Sequence, residues 1–213
     1  MENSRKIVSK ADPNVILRVV PGHFVTPNTH VNYYMDMTAI KSRISEAHAA
    51  AKLLSTYHYY STTVDTIVCL EGTEVIGAYL AEELTKAGVI SKNAHKSIYV
   101  VTPEYTPSGQ MIFRGEPAGW IRDKNVLLLL AAATTGNTVS RALESLLYYG
   151  ATISGISAIF SIASKIGGLP VHSIFTQADL PDYASHAHED CPLCKGHITI
   201  DGICNGYGMS SLT

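Results

Sequence analysis

Neither sign of charge is in excess. Sixteen lysines and arginines against eighteen aspartates and glutamates leave a net charge of −2 over 213 residues. That balance removes any broad electrostatic pull toward nucleic acid or an anionic membrane, so an anion site has to be local. Long apolar runs are lacking too: stretches such as Val126 to Ala133 fall far short of the ~20 residues that span a bilayer. The opening MENSRKIVSKADPN is polar, without the apolar segment of a signal peptide, and the expected location is the cytoplasm. Cysteine is scarce. Four thiols, three of them near the end at Cys191, Cys194 and Cys204, are too few and too clustered for a secreted disulfide scaffold and point to reduced thiols or a metal. The most telling absence is local: no acid stands in Leu130-Ala131-Ala132-Ala133, just ahead of a small-residue turn.

What is present is an alternation of apolar runs with helical patterns. At 46% hydrophobic the chain can bury the core of one principal domain. Ile16 to Val20 and Asn32 to Met37 read as short strands around the turn at Val25 to His30, and Thr38 to Tyr57 carries Ile40, Ile44, Ala47, Ala51 and Leu54 at helical spacing. Strands follow at Val64 to Leu70, Ser97 to Val101, Val126 to Ala133, Thr152 to Phe160 and Val171 to Phe175. Helices are expected over Val75 to Lys86, ended by Gly88, and over Thr138 to Tyr149. Strand and helix in turn predict an α/β fold with a central, mainly parallel sheet flanked by helices. Residues 1–60 would form a small N-terminal hood and helix, 61–178 the α/β core, and 179–213 an irregular C-terminal flap. The Pro- and Gly-rich connection from Thr102 to Asn125 is poorly patterned, as functional or mobile loops are.

The richest stretch is VLLLLAAATTGNTVSRALESLLYYGA, Val126 to Ala151. A buried strand, a turn of Thr134, Thr135, Gly136, Asn137 and Thr138, and a helix are the order in which a chain brings bare backbone N–H groups to a positive helix end, where a phosphate binds. The plain alternative is a helix cap with nothing bound. Likewise Glu71-Gly72-Thr73-Glu74, after the strand at Val64 to Leu70, is either a capping turn or a ligand loop. Near the end, His186, His188, Cys191 and Cys194, with His197 and Cys204 close by, offer donors at spacings compatible with tetrahedral zinc. Thiols packed without metal are the alternative.

These segments together resemble the type I phosphoribosyltransferases, and within them the orotate phosphoribosyltransferases, over roughly the whole chain. Thr134 to Thr138 match the second half of that family's acidic-acidic-x-x-Thr-Thr-Gly-x-Thr turn for the 5-phosphate of phosphoribosyl diphosphate. Glu71, Gly72 and Thr73 stand where its diphosphate loop stands. Gly22-His23-Phe24 through Tyr34-Met35-Asp36 is similar to the orotate branch's base-covering segment, which makes Phe24, Asn28 and Tyr34 the base-side residues. Cys191-Pro192-Leu193-Cys194-Lys195-Gly196 is similar to a tail of some orotate-type members. The resemblance implies a homodimer, phosphoribosyl diphosphate or a nucleoside monophosphate as partner, and transfer of phosphoribosyl to a base such as orotate. Mg²⁺ would bridge the leaving diphosphate, and no side chain need act as nucleophile.

Two departures bear on activity. The family's two acids fall on Leu130 and Ala131, and its loop cations fall on Thr102 to Gly109, where no cation stands. Arg114 and Lys124 are candidates to replace them if the connection closes inward. Losing one preorganised donor to a developing charge costs about 10²–10³ in rate. A phosphoribosyltransferase of low activity and a non-catalytic, regulatory nucleotide or phosphoribosyl diphosphate binder are therefore both carried forward.

Overall fold

The computed structural model describes residues 4–60, 62–86, 91–94 and 96–212. In chain order, β1 (Arg5–Val8), β2 (Ile16–Val25) and β3 (His30–Asp36) lead into α1 (Thr38–Ser42) and α2 (Ile44–Ser55). Then come β4 (Thr66–Cys69), α3 (Glu74–Lys86), β5 (Tyr99–Val101), the short β6 (Glu104–Tyr105) and β7 (Met111–Ile112), and α4 (Glu116–Gly119). The motif-bearing unit is β8 (Asn125–Ala133) and α5 (Asn137–Tyr148), followed by β9 (Thr152–Ser161), β10 (Lys165–Ile166) and β11 (Leu169–Thr176). The tail holds β12 (Ser185–His186), α6 (Pro192–Lys195), β13 (Gly202–Asn205) and β14 (Gly208–Ser211).

One sheet runs β10-β11-β9-β8-β4-β5, and all its pairs are parallel except β10 with β11. The expected α/β architecture with a central parallel sheet flanked by helices is therefore the observed one. Strand β8 is central and covered on both faces, which is why it reads as an unbroken aliphatic run. Its side chains alternate with the pleat. Leu127, Leu129 and Ala131 join a cluster with Leu17, Val19, Phe24, Ile40 and Leu54 of the hood, while Val126, Leu128 and Leu130 join Val139, Leu143 and Leu146 of α5. In α5 the buried positions Val139, Ala142, Leu143 and Leu146 fall at i, i+3, i+4 and i+7, the single apolar stripe of a helix laid on a sheet.

Three features differ from the sequence reading. Thr38 to Tyr57 is two helices, because Arg43 is extended (φ −85°, ψ 120°) and begins the second by accepting the Ala47 N–H. Glu46 in that new first turn pairs with Arg18 and Arg43. The tail is not irregular: β12, β13 and β14 join the hood in a second sheet ordered β12-β3-β2-β13-β14, with β1 also on β2. Strands of two to four residues are too short for a period-2 pattern to show. The connection after β5 contains a β6–β7 hairpin and α4. Gly88, expected to end α3, lies outside the described residues. Among the described residues no helix is long and apolar enough to cross a membrane.

The sheet also buries His58, whose Nε2 lies 2.8 Å from the Ser157 hydroxyl of β9. Gly155 makes the room, since a Cβ there would stand 3.2 Å from the imidazole. Desolvation, and then His172, push His58 down from 6.5 to about 4. The folded protein thus holds the ring neutral while the unfolded chain protonates it below pH 6.5. His58 therefore adds stability above that pH, and the contribution, up to about 3 kcal/mol, is lost as pH falls toward 4. Denaturation midpoints at pH 7 and pH 4.5 should differ less in His58→Gln than in the wild type. Equal pH slopes would refute this.

Candidate functional site

Strand β8 ends at Ala133 and the chain turns through Thr134 and Thr135 to Gly136, the N-cap of α5. Gly136 is left-handed (φ 79°), a conformation that suits glycine and strains any side chain. No side chain caps the helix and no acid occupies its first turn. The first amides therefore point outward at the positive end of a full-length helix. Thr134, Thr135 and Thr138 of this turn line a cleft of about 180 Å³ together with Asn28, Tyr33 and Tyr34 of the hood, whereas Gly136 and Asn137, also expected at the phosphate, are not among its lining residues.

Among the described residues, the β4–α3 loop supplies the one carboxylate that lines this cleft. Glu71 and Gly72 both have positive φ (59° and 78°). The Oε2 of Glu71 accepts the N–H groups of Ala131 (3.1 Å) and Ala132 (3.3 Å). Its backbone carbonyl accepts Lys41 Nζ at 2.9 Å, and the same ammonium donates to the Gly206 carbonyl. Desolvation raises the Glu71 carboxyl above its ordinary value, opposed by those two N–H bonds and by Lys41. Lys41, in turn, is lowered by burial and held up by Glu71, Glu74 and Asp36. A carboxylate thus reaches the backbone at Ala131 from a neighbouring loop. Leu130, by contrast, has no exposed surface and faces the α5 cluster, where a charge would be desolvated without a partner.

Other expected residues fall differently. Thr73 is buried and its hydroxyl donates to the Leu70 and Leu129 carbonyls, clamping β4 to β8 away from the cleft. Phe24 is also buried and supports Tyr34 from behind, ring centroids 5.9 Å apart. Tyr34 and Tyr183, both at the cleft, are pushed up to about 12, chiefly by desolvation, so they remain neutral donors at ordinary pH. A wider recess of about 750 Å³ adjoins, sharing Asn28, Glu71, Thr138 and Gly206 and bounded by the β6–β7 hairpin. Arg114 does not enter it. Its guanidinium pairs with Glu104 at 2.9 Å on the exposed side of the hairpin, because both residues flank the same short ladder. The cation lining the recess is Arg141 of α5, three residues past Thr138 and so one helical turn along the same face.

The tail cysteines also meet partners other than those expected. Cys191 and Cys194 close on His23 of β2 and His30 of β3, with all four donor atoms within 4.8 Å of one another. His186 sits opposite His30 in the β12–β3 ladder but outside that set. His188 stands behind it, Nδ1 3.0 Å from His30 Nε2. The reason is topological: β12 lies along β3, so the chain beyond it folds over the β2–β3 hairpin, and the hairpin's imidazoles fill the two corners assigned to the tail. Cys204 lines the cleft instead.

No family model matches the chain. An orotate phosphoribosyltransferase of Chlorobaculum parvum is 24% identical over 185 residues, 86% of this chain and 87% of that protein. The solved orotate phosphoribosyltransferase of Aeropyrum pernix superposes with a TM-score of 0.54 at 21% identity, covering 76% of this chain and 90% of that one. The Mycobacterium tuberculosis enzyme in complex with 5-phospho-α-D-ribosyl 1-diphosphate gives 0.50 at 14% identity, covering 70% and 83%. The fold is that of the type I phosphoribosyltransferases. In sequence the chain is similar to an orotate phosphoribosyltransferase, at 24% identity.

Gly206 packs on Glu71 so closely that a Cβ there would lie 2.5 Å from the Glu71 Cβ and Cγ. Gly206→Ala should therefore lower stability by about 1–3 kcal/mol by displacing the carboxylate from its two N–H donors. Most of that cost should vanish in a Glu71→Gly background, which removes both the Cβ and the Cγ that the new methyl would meet, as urea denaturation of the four proteins in the cycle would read; strictly additive effects would exclude the coupling.

Proposed function

We propose that the cleft binds a phosphoribosyl compound, either phosphoribosyl diphosphate or a nucleoside 5′-monophosphate. The observation that carries this reading is the uncapped N-terminus of α5, with Gly136 left-handed and Thr134, Thr135 and Thr138 facing the cleft. Backbone donors, hydroxyls and the helix dipole there suit a dianionic phosphate. The ribose would lie along Ala131 and Ala132, close to the Glu71 carboxylate, with the base under the hood beside Tyr34 and Asn28. The hood's polar lining, Thr26, Asn28, Thr29, Tyr33 and Tyr34, is uncharged, and the cleft's one cation, Lys41, is committed to two backbone carbonyls. A base without a carboxylate fits that lining better than orotate does.

In phosphoribosyl transfer a ring nitrogen of the base attacks C1, the bond from C1 to the diphosphate oxygen breaks, and diphosphate leaves. Mg²⁺ would supply charge neutralisation on that leaving group, and Glu71, the one carboxylate lining the smaller cleft among the described residues, is the side chain that would hold it, with its Oε2 already accepting two N–H bonds. For this chain's own residues, Glu71 fixes the β8 terminus, Tyr34 and Tyr183 donate as neutral phenols, and Arg141 faces the recess where a diphosphate would extend. Arg114 lies outside the recess and pairs with Glu104 on the surface, so among the described residues Arg141 is the cation lining it, and transfer with so little positive charge at the leaving group would be slow. The binder without turnover is the second reading, favoured by the same shortage of cations. A homodimer in the cytoplasm completes the proposal; exposed Leu147 and Tyr148 on α5 suit a partner surface.

Titration calorimetry with a nucleoside monophosphate should show binding to the wild type and at least tenfold weaker binding to Gly136→Val, whose branched Cβ would stand at a positive φ and within 3.6 Å of Ile166. Equal affinities would exclude the phosphate assignment. Diphosphate release with phosphoribosyl diphosphate, Mg²⁺ and a panel of bases should fall below the ordinary range of about 1–10³ s⁻¹. Turnover inside that range would show that Arg141 or other groups carry the transfer in full.

A further inference from the structure

We propose that His23, His30, Cys191 and Cys194 bind one structural zinc ion that pins the C-terminal tail to the β2–β3 hairpin. Two thiols and two imidazoles are a closed tetrahedral donor set of the kind zinc occupies in structural sites. With Zn–N near 2.0–2.1 Å and Zn–S near 2.3 Å, tetrahedral geometry puts donors about 3.4 Å apart for two nitrogens and about 3.6 Å for nitrogen and sulfur. His23 Nε2 and His30 Nδ1 are 2.9 Å apart, both sulfurs are 3.6 Å from His23 Nε2, and Cys194 Sγ is 3.3 Å from His30 Nδ1. Both His23–sulfur distances thus match the tetrahedron, the two of these distances that involve His30 Nδ1 need to open only by a few tenths of an ångström, and no two of the four donors are more than 4.8 Å apart.

Each histidine has its outer nitrogen occupied, and that of His23 meets a backbone carbonyl as a metal-binding histidine's does. His23 Nδ1 lies 2.9 Å from the Ile198 carbonyl, which fixes the proton on that nitrogen and leaves the Nε2 lone pair facing the thiols. His30 Nε2 meets His188 Nδ1 at 3.0 Å, leaving Nδ1 on the inner side. The Cys191–Cys194 segment is a tight knuckle, in which the Lys195 N–H returns to the Cys191 carbonyl and the His197 N–H to Cys194. His23, His30 and Cys191 are buried and Cys194 is partly so. Past the knuckle, Asp201 exchanges bonds with the backbone of His23, and β13 then runs beside β2. The ion therefore stands at the root of the segment that brings Cys204, Asn205 and Gly206 to the cleft.

Protein purified under reducing conditions without chelator should carry one zinc per chain by elemental analysis, and its cobalt form should show the absorption of a tetrahedral two-sulfur, two-nitrogen site. Cys194→Ser and His30→Ala should lose stoichiometric zinc, whereas His186→Ala should keep it. If the first two fail to fold, His188→Ala carries the test: removing an outer partner should weaken zinc 10–100-fold in chelator competition. Metal-free wild type that takes up no added zinc, a native Cys191–Cys194 disulfide, zinc lost on His186→Ala, or unchanged affinity in His30→Ala or His188→Ala would each overturn the assignment.

Discussion

The site is organised around one desolvated carboxylate. Withdrawing a carboxylate from water is expensive unless hydrogen bonds and a cation replace the lost hydration. Glu71 meets that condition only where it stands. Two N–H groups at the end of β8 receive its side chain, and Lys41 reaches its carbonyl from α1. Lys41 stands in α1, two residues before the break at Arg43, and Gly206 leaves the volume the Glu71 side chain needs. The first loop of the sheet, its central strand, the hood helix and the tail are therefore mutually dependent, because displacing any one exposes or strands a charge.

That dependence gives the cleft a carboxylate although no acid stands at positions 130 and 131. The pleat sends position 130 into the α5 cluster and position 131 toward the hood, so apolar residues at both extend the packed core to the end of the strand. The carboxylate at this cleft comes from the adjacent loop, where it holds backbone in place. For the proposed ligand, phosphate affinity would rest on donors of the α5 turn that Glu71 does not occupy, whereas charge on a leaving diphosphate would have Arg141 beside it and not Arg114.

Much of the fold was legible in the chain because its signals are local. The aliphatic run of β8, the small-residue turn and the stripe on α5 each span one element, and their order alone implies the parallel sheet. Thr134, Thr135 and Thr138, Asn28, Tyr34 and Glu71 were reached by motif, and the cleft gathers them. What escaped is non-local. Lys41 belongs to a helix whose break at Arg43 carries no glycine or proline to announce it. Thr73 sits in the right loop but spends its hydroxyl on two carbonyls. His23 and His30 lie more than 150 residues from Cys191 and Cys194, and only the pairing of β12 with β3 brings the four together. Arg141 was recoverable from helical spacing after Thr138 had been singled out.

The hood is made from both ends of the chain, with β13 parallel to β2 and β12 against β3. This has a consequence for the order of folding. Most neighbours in the central sheet are joined by a single crossover, whereas the pairings Gly202–Phe24 and Ser185–Val31 join segments far apart in sequence. Closing those long loops costs more chain entropy than closing a single crossover, so the parallel sheet can assemble beneath a hood that is still unfinished, with Phe24 and Val25 of β2 waiting for their β13 partners.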